Sequence, residues 1–443
     1  MKSKAGVDLR GRPGDCQSPA FPSNFPPSPL YGVEEGVRGR GRGRRPLAPS
    51  PNSPVTILIV AGEASGDAHG ARLVAEIRKL VPEAQFSGIG GEALAAQGVK
   101  LLARAEDLAV VGLTEVAGRL PAVVGALKKL GRVLRRDRPA LTILIDFPDF
   151  NFLVARLAKW HRVPVMYYIS PQVWAWRRHR VRTIARLVDR MVVIFPFEEE
   201  FYRQQGVPVT FVGHPFMETL PDLPRREMLL QEWGLDPERL TLALLPGSRG
   251  SEIERHLPTM LAAAKIIKEA IPEVQFLLPL ASTTPRGLVE GMIGEVWGEG
   301  ASGRRPLPPL LNIITGQAYA ALKAAHLAVV ASGTVTVESA LAGTPTVIIY
   351  RLAPLTFQVA KLLIRVEHIG MANLLAGEGL FPELIQDNFS AEALARELLR
   401  WIKEPKRLGD LRQGLARVVE RLGPPGASER AARVALELIG VAP

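Results

Sequence analysis

Two α/β halves, each a doubly wound parallel sheet covered by helices on both faces, are predicted by three features of the sequence. Short β-branched apolar runs alternate with segments of helical period, the pattern of a parallel sheet with crossover helices. The alternation breaks in a Pro-rich, charged stretch near residues 215 to 240 and then restarts. Several of the runs end in turns rich in glycine and serine, and in open α/β sheets ligands bind at the carboxyl ends of the strands. The composition agrees: 443 residues, 47% hydrophobic and 22% charged, are enough for two or three buried cores.

Taken in order, residues 1–53 form a leader without apolar period. "FPSNFPPSPLYGVEEGVRGRGRGRRPLAPSPNSP" is dominated by Pro, Gly, Ser and Arg and is expected to be disordered, because it cannot bury enough surface to offset its chain entropy. It lacks the apolar core of a secretory signal, and Asp8, Asp15, Glu34 and Glu35 speak against a transit peptide. An N-terminal half is expected over 54–215, with strands in "VTILIVAGE", "ALTILIDFPD", "VPVMYYIS", "RMVVIFP" and "VTFVGHP" and helices in "GDAHGARLVAEIRKL" and "FEEEFYRQQG". A C-terminal half over 216–420 follows, with strands in "TLALLPGS", "VQFLLPLA", "LLNIITG", "LAVVAS" and "PTVIIYR". The chain closes over 421–443 on "SERAARVALELIG", whose Ala, Val and Leu recur at helical spacing.

A net charge of +11 points to anionic partners: phosphate groups, acidic lipid or nucleic acid. The single cysteine, Cys16, excludes an internal disulfide and fits a reducing compartment, so cytoplasm is expected. No stretch reaches the roughly 18 uninterrupted apolar residues of a membrane span, so membrane contact is expected to be peripheral.

The strand ends carry the chemistry. In "VAGEASGDAHG" the small residues Ser65 and Gly66, beside Glu63 and Asp67, open a helix whose free N–H groups favour an anion; a tight turn capped by Ser65 or Asp67 is the other reading. "SGIGGEALAAQG" reads only as a turn. In "LALLPGSRGSEIERH", Gly247 and Ser248 form a turn, Arg249 leaves it, and Glu252 and Glu254 sit in the next first turn. Arginine offers a planar fork suited to a phosphate, or to a surface carboxylate. "VVASGTVTVESALAG" adds the turn Ser332, Gly333, Thr334, with Glu338 one turn inside the helix, placed for sugar hydroxyls or as a helix cap. The seven histidines show no metal-ligand spacing, and "DFPD" reads as the surroundings of a base, with Asp146 at the strand end and Asp149 as its rival.

The motifs "VAGEASGD", "IDFPDFN", "SPQVWAWR", "FPFE", "LLPGSRGSEIE", "ASGTVTVESALAGTP" and "NLLAG" together resemble lipid-A-disaccharide synthases, in order from about residue 55 to residue 385. Phe147, where a small residue is usual, and His326 in "AAHLAVV", where Asp is usual, depart from the family pattern. The resemblance implies the GT-B fold, two Rossmann-like domains facing across a cleft. It implies an inverting, metal-independent hexosyltransferase without cofactor that moves diacylglucosamine from a UDP-diacylglucosamine donor to the 6-hydroxyl of diacylglucosamine 1-phosphate. Asp146 then matches the family's catalytic aspartate, and Arg249, which opens from the phosphate-type turn of the facing half, is read as the partner of the leaving diphosphate. Glu63, Ser65, Gly66, Asp67, Gly247, Ser248, Gln317, Ser332, Gly333, Thr334, Glu338 and Asn373 fall in the substrate and nucleotide set. A UDP-sugar epimerase of the same architecture and a UDP-binding protein without catalysis are the competing classes.

Two segments bear on the membrane. "GRLPAVVGALKKLGRVLRRDRPA" sets an apolar face beside Lys128, Lys129, Arg132, Arg135 and Arg136, the pattern of a helix at an anionic bilayer or of a packed helix with a solvated edge. "WAWRRHRVRTIARLVDR" places Trp174 and Trp176 at a strand end ahead of a run of arginines. No nucleic-acid module is recognisable, so the expected partners are the two acylated sugars and the cytoplasmic surface of the inner membrane, with a homodimer left open.

Overall fold

The computed structural model describes residues 54–108, 116–175, 178–282, 284–297, 310–363 and 366–441. The leader 1–53 and Trp176 lie outside the described residues.

The first sheet is built of β1 (Thr56–Ala61), β2 (Gln85–Gly90), β3 (Lys100–Arg104), β4 (Leu141–Ile145), β5 (Val165–Tyr168), β6 (Arg190–Val193) and β7 (Val209–Phe211). Its order is β3-β2-β1-β4-β5-β6-β7, with parallel pairing at each junction, Ala61 standing beside Ile145 at the carboxyl end of the central pair. β1, β4 and β5 are apolar without alternation because both of their faces are covered: Ile57, Ile59, Ile143 and Tyr168 belong to one buried layer, Leu58, Val60, Leu144 and Tyr167 to the other. β2 and β3 were not expected from the sequence. "QFSGIG" carries little apolar signal, and Gly88 is required because a Cβ there would lie 1.7 Å from the Ile59 carbonyl oxygen.

The second sheet comprises β8 (Thr241–Leu245), β9 (Gln275–Leu280), β10 (Leu311–Thr315), β11 (Leu327–Ala331), β12 (Thr346–Tyr350) and the short β13 (Glu383–Ile385), in the order β10-β9-β8-β11-β12-β13. Both sheets therefore reverse their strand order at one place, between β1 and β4 and between β8 and β11. Loops leaving these neighbouring strands in opposite directions open a crevice there.

The final helix, Ala427–Leu438, does not stay with the second half. Ala427, Ala431, Ala432, Ala435 and Leu436 are buried in the same cluster as Leu73, Val74 and Ile77 of the helix Ala64–Leu80. Small residues on that stripe let the two helices approach closely. The crossing is pinned by backbone and side-chain bonds: His214 N–H to the Leu422 carbonyl at 2.8 Å, the Arg430 guanidinium to the Val212 carbonyl at 2.9 Å, and Ser428 N–H to the Glu218 carboxylate at 2.8 Å.

Candidate active site at two sheet edges

Asp146 follows the last residue of β4, beside the loop that carries Glu63 out of β1. Asp146 and Phe147 both take left-handed backbone angles, with φ of 45° and 47°, a conformation that costs a non-glycine residue about 1 to 3 kcal/mol. The strain is held in place from below. Asn151 donates its amide to the Asp146 carbonyl at 2.7 Å and to the Ile145 carbonyl at 3.2 Å, and the fully buried Tyr167 hydroxyl donates to the Asp146 carbonyl at 2.6 Å. Gly62 leaves the space for the Phe147 ring, since a Cβ there would fall 2.1 Å from it. The unusual Phe147 is thus matched to its neighbour.

The outcome is a half-buried carboxylate at the strand end, kept poorly solvated. Burial, and then the negative charge of nearby Glu63, push the Asp146 carboxyl up from 3.8 to about 6, against a smaller opposing effect of the Phe147 N–H. Such a group is ionised at neutral pH yet basic enough to accept a proton. Its rival Asp149 is differently placed: its side chain is 75% exposed and pairs with Arg180 at 2.7 Å.

Two of the expected binding residues of the first half have other duties. Asp67 is buried, and its carboxylate accepts the N–H groups of Gly91 at 2.6 Å, Ala93 at 2.9 Å and Leu94 at 3.3 Å, so it caps the helix Glu92–Ala96 instead of meeting a ligand or capping its own helix. Glycines 90 and 91 serve this cap, because a Cβ on either would stand within 3 Å of an Asp67 carboxylate oxygen. Trp174 is also buried, not on a membrane surface; its indole N–H donates to Glu198 at 3.1 Å and its ring packs edge-on to Phe197. Glu198 is itself fully buried, and burial raises its carboxyl to about 8. Glu63 and Ser65 remain exposed at the crevice, with Gly66 buried beneath them against Ile145.

In the second half, Gly247 adopts φ 120°, and a Cβ there would lie 2.4 Å from the Glu252 carboxylate. That carboxylate accepts Ser248 N–H at 3.1 Å and Arg249 N–H at 3.3 Å, capping the helix Gly250–Ala270. The amides of Ser248 and Arg249 are therefore committed, while the helix start leaves those of Gly250 and Ser251 at exposed positions. The Arg249 side chain is 72% exposed, with only a 3.6 Å approach to Glu252. It is an exposed cation at a positive helix end, suited to a diphosphate.

The turn after β11 stands next to it, across the β8–β11 junction. Ser332 is half-buried and gives its hydroxyl to the Ile369 carbonyl at 2.8 Å, whereas Gly333 and Thr334 are exposed at the helix start. Glu338 is half-buried, and burial raises its carboxyl. No hydrogen bond or ion pair engages it among the described residues, which leaves it available to hydroxyl donors. Gln317 is exposed at the end of β10. Asn373 is fully buried, and its amide is engaged by the Phe381 backbone and Glu383, each at 2.8 Å. His326, the other departure from the family pattern, accepts the Thr241 N–H at 3.0 Å and lies at the opposite end of the strands. Sequence reasoning overlooked Asn151 and Tyr167; the first sits in the quoted "IDFPDFN", but nothing in a single sequence shows that its amide turns back to the strand end. Among the described residues no group of three or more His, Cys, Asp or Glu is gathered as a metal set.

A family model described as lipid-A-disaccharide synthetase matches residues 57–438. The lipid-A-disaccharide synthase of Syntrophus aciditrophicus is 48% identical over 383 residues, 86% of this chain and 97% of that one. That of Geobacter sulfurreducens is 46% identical over 389 residues, 88% and 98% of the two chains. Among solved structures, UDP-GlcNAc 2-epimerase from Neisseria meningitidis bound to UDP-GlcNAc superposes with a TM-score of 0.59 at 12% identity, covering 86% of this chain and all of that one. CalG4, the calicheamicin glycosyltransferase, gives 0.54 at 13% identity, covering 88% of this chain and all of that one. At such identities these two share the GT-B fold with the chain and nothing finer.

Proposed function

The chain belongs to the lipid-A-disaccharide synthase family, a family of glycosyltransferases of lipid A assembly, and on that premise we propose how its two halves divide the reaction. The second half holds the UDP of a UDP-diacylglucosamine donor on the turns at Gly247–Arg249 and Ser332–Thr334, with Glu338 accepting hydrogen bonds from sugar hydroxyls. The first half receives diacylglucosamine 1-phosphate. Asp146 takes the proton of its 6-hydroxyl as that oxygen attacks the anomeric carbon, the bond to the diphosphate breaks, and Arg249 with the helix start Gly250–Ser251 neutralises the leaving UDP. The observation that carries this division is the pairing of a desolvated carboxylate at one switch point with an exposed arginine on a helix start at the other.

The acylated substrates lie in a membrane, and one outer face of the first half fits an anionic bilayer. Lys128, Arg132, Arg135 and Arg136 are exposed along the helix Val116–Arg136, as is Lys129, which bonds the Leu102 carbonyl. Val124 on that helix and Leu153 and Trp160 on the adjoining helix Pro148–Trp160 are exposed apolar side chains, Trp160 at 84%. Among the described residues no helix is long and apolar enough to cross a membrane.

Incubating the protein with UDP-diacylglucosamine, with and without the acylated sugar phosphate, and identifying the products by chromatography, mass and proton NMR tests the reading. Disaccharide formed only with acceptor supports it. An isomer of the donor formed without acceptor would mark an epimerase, the class of the Neisseria neighbour.

A further inference from the structure

His256 is fully buried on the helix Gly250–Ala270, about two turns beyond the candidate phosphate turn. Both ring nitrogens are used. Nδ1–H donates to the Pro246 carbonyl at 2.7 Å, and Nε2 accepts the Arg351 N–H at 3.0 Å. The imidazole is therefore held as one neutral tautomer, and burial lowers its affinity for a second proton. Pro246 is the residue between β8 and Gly247, and Arg351 is the residue after β12. These two strands flank β11, whose exit is the Ser332–Thr334 turn. One side chain thus reaches beneath the central strand and ties together the exits on either side of it. Arg351 extends the tie: its guanidinium bonds Thr259 and the Phe389 carbonyl and lies over the Phe389 ring, which also packs against the imidazole.

We propose that His256 is a positioning residue for the donor diphosphate, locking the Pro246–Arg249 turn to the exit of β12 so that Arg249 and the helix start meet the phosphates at a fixed place. The proposal rests on the donor site described above. It distinguishes His256 from a generic core residue, because a leucine would fill the same volume yet leave the Pro246 carbonyl and the Arg351 amide without partners and the turn free to shift. A glutamine carries an NH2 group to donate and a carbonyl oxygen to accept, and can span both.

The test is calorimetric titration of UDP into the full chain, well below its melting temperature, together with steady-state kinetics. His256→Leu is expected to weaken UDP binding about tenfold and raise the donor KM by a similar factor, with acceptor KM within twofold of the wild type; His256→Gln is expected to restore UDP affinity to within about threefold. UDP affinity unchanged in His256→Leu, with only the melting temperature lowered, would overturn the proposal and leave His256 a core residue. If His256→Leu does not fold, His256→Asn, which keeps one of the two bonds, takes its place, with wild-type UDP affinity again the overturning result. Arg249→Lys in the same titration separates the two levels: weakened binding there beside unchanged binding in the His256 variants sinks only the positioning role, whereas unchanged binding in both sinks the donor site itself.

Discussion

Replacing Asp146 with Asn should disable the enzyme and stabilise it. The carboxyl is raised from 3.8 to about 6 on folding; at about 1.4 kcal/mol per tenfold change in acidity, the buried charge costs at most about 3 kcal/mol at neutral pH. Solvent reaching the crevice reduces that, and about 1 to 2 kcal/mol is expected. Asparagine removes the charge, still accepts the Phe147 N–H, and tolerates the left-handed φ of 45° better than most residues. A carboxyl raised on folding contributes full stability below pH 3.8 and loses it as pH rises through 6. The variant's advantage in urea unfolding should therefore be absent at pH 3.5, grow between pH 4 and 6, and be complete at pH 7. Its kcat should fall by roughly 10² to 10⁴, as for a lost general base, with UDP affinity nearly intact. In the wild type kcat/KM should rise through an apparent pKa near 6, a limb that the variant lacks. Near-normal turnover in Asp146→Asn with a dead Asp149→Asn would refute the assignment and move the base three residues along the loop.

Arg249→Lys should weaken UDP binding and turnover together, because a point charge does not reproduce a two-pronged contact; equal values in both assays would contradict this. Replacing Lys128, Lys129, Arg132 and Arg135 with Gln should weaken sedimentation with anionic vesicles by about 1 kcal/mol per charge at low salt, leaving UDP affinity as it was; undiminished binding removes this helix from the membrane surface. Asp67→Ala should lower the urea midpoint by about 1 to 3 kcal/mol in stability through the lost cap of the helix Glu92–Ala96, without changing UDP affinity. A loss of UDP affinity there would return Asp67 to the binding site.

The doubly wound architecture was legible because β1, β4, β8 and β11 are buried on both faces and therefore written as nearly continuous apolar runs. β2, β3 and β13 were not: one is rich in glycine, the others are short and half-buried at the sheet rims. The same limit applies to the site. Asp146, Arg249 and the Ser332–Thr334 turn could be found because position after a strand is visible in a sequence. Asp67 and Trp174 also follow strands, and Asn373 lies inside the helix Met371–Ala376, but their partners are 24, 24 and 10 residues away, and such distant bonds leave no local signal. The helix Ala427–Leu438 shows the reverse: its apolar stripe was evident, whereas the surface it covers, in the first half of the chain, was not.

The division of labour between the two sheet edges is tested most directly by a crystal structure with UDP bound. The diphosphate is expected against Arg249, Gly250 and Ser251 and the neighbouring Gly333–Thr334 turn, with Glu338 beside the ribose and Asp146 left open to the acceptor. A diphosphate seated instead on the Ser65–Gly66 start of the helix Ala64–Leu80 in the first half, next to Glu63 and Asp146, would contradict the account.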